Sequence, residues 1–248
     1  MRVIPAFLLF SVLAACKGDP VSWSDPLFRD APAMPNEYDG TTTLPDSARC
    51  PASLRLAAIG KLSYSVWWRV NADSSASLMV ARSGVNGGWA PPVIADSSDH
   101  SNRGCGRPAP AIAVDAVSGY VHLAYYLEPA AGSGVFFAHS MDSAATFHAP
   151  APVVFGRNPS SVSIATHRDR VAVAYEDPNS GQPIIGVALS VTMGHLFESR
   201  VEATTDNERA RQPVVRLSGD SIQLWWREYS ANPAISATHA TYRAGYWR

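Results

Sequence analysis

The chain has 248 residues and carries 20 Lys and Arg against 21 Asp and Glu, which gives a formal net charge of -1 at pH 7. A charge this close to zero excludes bulk electrostatic attraction to nucleic acid, so we expect no nucleic-acid partner. The length suits one large domain or two small ones, and a single all-β domain of this size is common.

The first 16 residues have the order of an export signal. Arg2 is followed by the apolar run 3–13, then by Ala14-Ala15-Cys16, and then by the polar segment 17–20. The apolar run is too short for a permanent membrane-spanning helix, which needs roughly 20 residues. Residues 13–16 also resemble the bacterial lipobox, whose Cys becomes the lipidated first residue of the mature protein.

This resemblance implies that residues 1–15 are a lipoprotein signal peptide and that Cys16 carries the lipid that attaches the protein to a membrane. Because Lys17 follows the Cys where retention at the inner membrane usually requires Asp, the predicted location is the bacterial outer membrane. The alternative is an ordinary signal peptide cut nearby, with Cys16 there by accident.

A four-fold internal repeat fills the chain beyond residue 50. In a gapless alignment, four aromatic residues each precede by 15 residues the start of a similar octet, and the copies are 57, 50 and 50 residues apart. These aromatic residues are Trp68, Tyr125, Tyr175 and Trp225, and the octets start at 83, 140, 190 and 240.

Each copy contains short runs rich in Val, Ile and aromatic residues, bounded by turn residues, which is typical of β-strands joined by hairpins. In the last copy, the third run is predicted at 234–239 and the octet at 240–247. Four short antiparallel strands in each repeat of about 50 residues describe the blade of a β-propeller. We therefore predict an all-β fold, a four-bladed β-propeller over residues 50–248.

The last copy ends without a fourth strand. Residues 23–28 resemble the fourth-strand segment 89–94, so we predict that residues near 21–29 supply the outer strand of the last blade and close the ring. In the alternative, the whole segment 16–49 is a flexible tether from the lipid.

The octets resemble the Asp-box, or BNR repeat, of sialidase-like propellers, with the pattern Ser-x-Asp/Thr-x-Gly-x-x-Trp/Phe. Octets 140–147 and 190–197 carry the resemblance best, whereas 83–89 is one residue short and 240–247 keeps little beyond Trp247. The resemblance implies the propeller fold. It does not imply an activity, since such boxes lie on the rim and occur in many proteins that are not sialidases.

Arginines stand just before the first strand of each copy, at Arg49, Arg107, Arg157 and Arg211. If the first strands surround a central channel, these four guanidinium groups line its mouth and form an anion-binding site. Sialidases are similar, because three arginines hold their substrate carboxylate. In the alternative, each Arg pairs with a neighbouring carboxylate.

The predicted function is that of a binding or assembly module of the bacterial cell envelope, with an acidic glycan or an envelope protein as partner. The alternative is an exo-sialidase-type glycoside hydrolase, with Tyr229 as nucleophile activated by Glu228. Neighbouring residues of a strand point to opposite faces, so this pair requires a bend in the chain. We expect the chain more often to be non-catalytic.

Cys50 and Cys105 each precede the first strand of a copy, so we predict a disulfide between them, with free thiols as the alternative. The seven histidines show no metal-ligand spacing. The sequence therefore predicts neither a cofactor nor a metal site.

Overall fold

The computed structural model describes residues 19–30, 32, 50–84, 86, 88–204, 209–229 and 239–248. This part of the chain is built from β-strands and two 3₁₀ turns, Pro51–Ser53 and Gly104–Gly106. In chain order the strands are β1 Val21–Trp23, β2 Leu27–Phe28, β3 Arg55–Ile59, β4 Leu62–Val70, β5 Ala76–Arg82, β6 Val93–Asp99, β7 Ala111–Val114, β8 Val121–Leu127, β9 Gly134–Ser140, β10 Ala151–Phe155, β11 Val162–His167, β12 Arg170–Glu176, β13 Ile185–Ser190, β14 Ser199–Glu202, β15 Ala210–Ser218, β16 Ser221–Glu228 and β17 His239–Trp247.

The strands form four antiparallel sheets that follow one another along the chain. The first sheet has the order β3-β4-β5-β6, the second β7-β8-β9-β10 and the third β11-β12-β13-β14. The fourth has the order β15-β16-β17-β1, and β2 also pairs with β17. The prediction of an all-β fold with four short antiparallel strands in each repeat is confirmed.

Consecutive sheets pack face to face through apolar side chains that alternate along each strand. In β8, Tyr125 packs in the core between the first and second sheets, while Ala124 and Tyr126 pack in the core between the second and third. A third core joins the third and fourth sheets around Trp226. The central strands are therefore buried on both faces, which explains their nearly continuous hydrophobic sequence.

Segment β1 lies where the sequence analysis placed an outer strand for the last repeat. Val21 is the register partner of Trp247, and Trp23 is the partner of Gly245. Val21 also packs in the core between the third and fourth sheets. Residues from the N-terminal side of the repeats thus complete the fourth sheet.

The gapless alignment of the four aromatic residues is wrong at the level of side-chain direction. Trp68 faces the second sheet and contacts Tyr125 edge-on, with ring centroids 5.9 Å apart, whereas Tyr125 faces back toward the first sheet. A shift of one residue along a strand reverses the face, and the neighbour Trp67 lies on the opposite side.

The last repeat also departs from its predicted boundaries. Residues 240–247 are part of strand β17 and not a hairpin turn, and Trp225 is opposite Tyr242, 17 residues later. In the second and third sheets the corresponding aromatic residue is opposite a residue 11 positions later. Residues 234–238 lie outside the described residues.

Octets 140–147 and 190–197 form the turns between the third and fourth strands of the second and third sheets. Ser140 Oγ accepts the N–H of Ala144 at 2.8 Å, and Ser190 Oγ accepts the N–H of Gly194 at 3.0 Å. Asp142 Oδ1 accepts the N–H of Thr146 at 2.9 Å. The polar residues of the octet therefore satisfy the backbone of a tight turn.

Cys50 and Cys105 form the predicted disulfide, with their Cα atoms 5.3 Å apart. It links the start of the first sheet to the segment that leads into the second sheet.

Candidate functional site

A cleft lies between the starts of the third and fourth sheets. Its volume is about 550 Å³, and a cavity of about 300 Å³ that shares Glu176 and Arg211 adjoins it. The residues that line the larger cleft are Ser161, Glu176, Gly181, Pro183, Arg209, Arg211, Gln212 and Tyr229. A volume of this size accommodates a small organic ligand.

Exposed arginines converge at this cleft. Arg209 and Arg211 line it, and Arg211 is the direct cross-strand partner of Arg227. Two like charges opposite each other on a sheet destabilise it, so an anion bound between them is favoured. None of the three forms an ion pair with a carboxylate in the described ranges.

A tyrosine stands beside these arginines. The Arg211 guanidinium carbon lies 5.8 Å from the centroid of the Tyr229 ring, within range of a cation–π contact. The Tyr229 N–H donates to the Arg209 carbonyl at 2.9 Å, which extends the pairing of β15 with β16 past the end of β16. The aromatic ring and the cationic groups are therefore presented together.

Glu176 supplies the carboxyl group of the cleft from the end of β12. Its Oε1 accepts the N–H of Gln212 at 2.9 Å, and Gln212 lies at an irregularity of β15 with φ of +54°. Burial raises the pKa of Glu176, while the Gln212 N–H and the charge of Arg211 act in the opposite direction. The bulge brings this carboxyl next to the arginine.

The structure does not bring the four predicted arginines into one site. Arg49 lies outside the described residues, as does Cys16. Arg157 is exposed and lines a different groove, of about 650 Å³, with Phe155 and Asn179. Arg211 alone of the four lies in the cleft, where its companion is Arg209.

Arg107 has a structural role in place of the predicted ligand contact. It is 5% exposed and pairs with Asp99, with 2.9 Å between Nη2 and Oδ1. It also donates to the carbonyls of Ser74, Ser101 and Gly104. This buried guanidinium is therefore saturated by the loop that precedes the second sheet and has little capacity left for a ligand.

The predicted pair of Tyr229 and Glu228 is divided. Tyr229 lines the cleft, but Glu228 Oε1 accepts a hydrogen bond from Thr241 Oγ1. Glu176 is the carboxyl that shares the cleft with Tyr229.

The expectation that the histidines are scattered is wrong for three of them. Ring nitrogens of His139, His148 and His195 all lie within 4.8 Å of one another. His139 is buried, and burial, followed by the nearby His148 and His195, lowers its pKa to about 4. Two of the three flank octet 140–147 and the third lies in octet 190–197; that placement around the turns was the available signal in the sequence.

In the part of the chain that the structure describes, we find no helix with the length and apolar character needed to cross a membrane. No protein-family profile matches the chain, and no curated protein matches it.

Solved structures share the fold. A protein of unknown function from Dyadobacter fermentans gives a TM-score of 0.56 at 15% identity, covering 88% of this chain and 60% of that chain. A mutant of an α-L-arabinofuranosidase from Fusarium graminearum, in complex with an iminosugar inhibitor, gives 0.54 at 14% identity, with 85% and 65% covered. The Hadza microbial sialidase Hz136 gives 0.50 at 17% identity, with 71% and 41% covered.

These likenesses show that the chain has a sialidase-like β-propeller fold. The chain spans less than two thirds of the length of each of these three proteins. Identities of this size concern the fold alone, so the function is argued from the cleft.

Proposed function

We propose that the protein is a binding module for a carboxylate-bearing carbohydrate, held in the cleft between the third and fourth sheets. In this proposal the four sheets are the blades of a four-bladed propeller. The protein is an outer-membrane lipoprotein of the bacterial envelope, with signal peptide 1–15, lipid at Cys16 and segment 16–49 leading to the propeller.

The observation that carries the proposal is the unpaired cationic group at the cleft. Arg209 and Arg211 are exposed, line one cleft and meet no described carboxylate at ion-pair distance. A guanidinium recognises a planar carboxylate through two parallel hydrogen bonds, and the Tyr229 ring offers an apolar face to a sugar. An acidic monosaccharide fits both features and the volume of the cleft.

Calorimetric titration with N-acetylneuraminic acid and with glucuronic acid tests the proposal. Arg209→Ala and Arg211→Ala should each weaken binding by at least about tenfold, because each removes a charged hydrogen bond worth about 1.5–3 kcal/mol. Arg200→Ala removes an exposed arginine of β14 and should leave affinity unchanged. Uncharged galactose should not bind. Equal loss in all three variants, or equal binding of galactose, contradicts the proposal.

A second candidate function, a sialidase-type glycoside hydrolase, is favoured by the presence of Glu176 and Tyr229 in one cleft. In sialidases a Tyr nucleophile is activated by a Glu, and a carboxyl with a raised pKa is suited to proton transfer. A fluorogenic sialoside assay separates the two candidates. Turnover that is lost in both Tyr229→Phe and Glu176→Gln supports the enzyme, whereas binding without turnover supports the module.

The lipid anchor has its own test. In bacterial cells fed labelled palmitate, the full chain should incorporate the label and sediment with the outer membrane. Cys16→Ala should abolish both. A labelled Cys16→Ala variant would overturn the anchor without affecting the proposal for the cleft.

A further inference from the structure

We propose that His139, His148 and His195 form a binding site for one divalent transition-metal ion of the Zn²⁺ class, which joins the second sheet to the third. This site is independent of the cleft between the third and fourth sheets and shares no residue with it.

The positions of the ring nitrogens fit a single ion. His139 Nε2 and His148 Nδ1 are 3.0 Å apart. Two nitrogens that each bind Zn²⁺ at about 2.0–2.1 Å are separated by about 3.0–3.4 Å when the angle at the metal lies between a right angle and the tetrahedral value. The pair already has the spacing of two ligands to the same metal.

The third imidazole is close enough to complete the set. The ring centroids of His139 and His195 are 4.5 Å apart, and all three ligand atoms fall within 4.8 Å. His148 and His195 are exposed, so a rotation that moves their nitrogens by about 1 Å meets little resistance. The buried His139 fixes the position of the ion, and the two exposed rings close on it.

Fold topology places the three ligands. His139 is the residue before the octet turn 140–147 and His148 is the residue after it, and the His148 N–H donates to the His139 carbonyl at 3.0 Å. His195 lies in the matching turn of the third sheet, beside the contact between Phe137 and Gly194. Because the ligands come from two sheets, the site exists only when those sheets are packed together.

The chemistry of the ligand set selects the class of metal. Three imidazoles with no carboxylate in the group suit Zn²⁺, Cu²⁺ or Ni²⁺ and are unsuited to Ca²⁺ or Mg²⁺, which require oxygen ligands. The cavity that the three rings line has a volume of about 90 Å³ and opens to solvent. A fourth position on the metal is therefore available to water.

The experiment uses the full chain, purified without a polyhistidine tag and treated with a chelator. Titration with ZnCl₂ should show one equivalent bound with a dissociation constant below about 10 µM, and a saturating amount of Zn²⁺ should raise the thermal midpoint, since the ion binds only the folded state. Co²⁺ should give the intense visible absorption of a site with fewer than six ligands. MgCl₂ should produce neither effect.

His148→Ala and His195→Ala should each weaken Zn²⁺ binding by at least tenfold and remove the rise in thermal midpoint. Both side chains are exposed, so the variants are expected to fold; unchanged circular dichroism without metal establishes this. His100→Ala, which removes an exposed histidine elsewhere, should bind like the wild type. The proposal is overturned if the wild type binds no Zn²⁺ at 100 µM, or if all three variants bind alike.

Discussion

The ring of Phe137 in the second sheet lies against the backbone of Gly194 in the third, in the space that a side chain at residue 194 would occupy. Gly194 has φ of +86°, and it occupies the Gly position of octet 190–197. The glycine is thus required twice, once for the turn and once for contact between neighbouring sheets. The same contact brings His195 next to His139.

We expect Gly194→Ala to lower the free energy of unfolding by at least about 2 kcal/mol, because a Cβ would clash with the Phe137 ring and the residue would be strained at positive φ. Urea unfolding measures the change. Gly106→Ala is the control, since a Cβ there meets no atom within 4 Å. Comparable losses in the two variants would show that the contact with Phe137 is unimportant.

Asp115 connects the second sheet to the third. Its Oδ1 accepts the N–H groups of Val117 and Ser118, and its Oδ2 accepts the N–H of Arg168 at 2.6 Å. Burial raises the pKa of Asp115, but the hydrogen bonds from Ser118, Arg168 and Val117 outweigh it and hold the pKa below its ordinary value.

Asp115→Asn should therefore cost about 2 kcal/mol of stability at pH 7, because an amide cannot accept at both positions. A lowered pKa in the folded state contributes stability above the unfolded value, about 3.9, that is lost as pH falls through the folded value. The difference between wild type and variant should thus shrink below about pH 4. Asp169→Asn, at an exposed neighbour, should change little at either pH; a constant difference from pH 7 to pH 3 would contradict the assignment.

The all-β architecture could be predicted from sequence because strands with two buried faces leave a clear record of short apolar runs between turns. The relative register of the repeats could not. Trp67 and Trp68 are adjacent, large and both buried, so composition does not reveal which one faces the second sheet. The wide connection between Trp225 and Tyr242 shifted the last repeat in the same way.

The candidate site was predictable only in part, because the role of an arginine depends on neighbours that the fold supplies. Arg107 and Arg211 occupy matching positions in their repeats, yet Arg107 is enclosed by its own loop around Asp99 and Arg211 is exposed. Glu176 reaches Gln212 from another sheet, 36 residues away. Such contacts are tertiary, and local sequence patterns do not contain them.

The disulfide between Cys50 and Cys105 closes a loop with a sequence separation of 55. In the chain-entropy model a loop of this length stabilises the folded state by about 4 kcal/mol. The Cys50→Ala/Cys105→Ala double variant should lose an amount of this order in urea unfolding, relative to a Cys16→Ala background. A loss below about 1 kcal/mol would mean that the unlinked chain already holds this segment in place.

The outer strand of the fourth sheet is the last feature open to a sharp test. Val21 is 2% exposed and packs in the core between the third and fourth sheets, while its neighbour Ser22 points to solvent. Val21→Asp places an unpaired carboxylate in that core and should lower the free energy of unfolding by at least about 3 kcal/mol. Ser22→Asp adds the same charge to the same strand on its exposed face, so its thermal midpoint should match the wild type. If both variants melt with the wild type, β1 is not needed to complete the fourth sheet, and residues 19–30 are a tether; if both are destabilised equally, the pairing of β1 with β17 matters but the burial of Val21 does not.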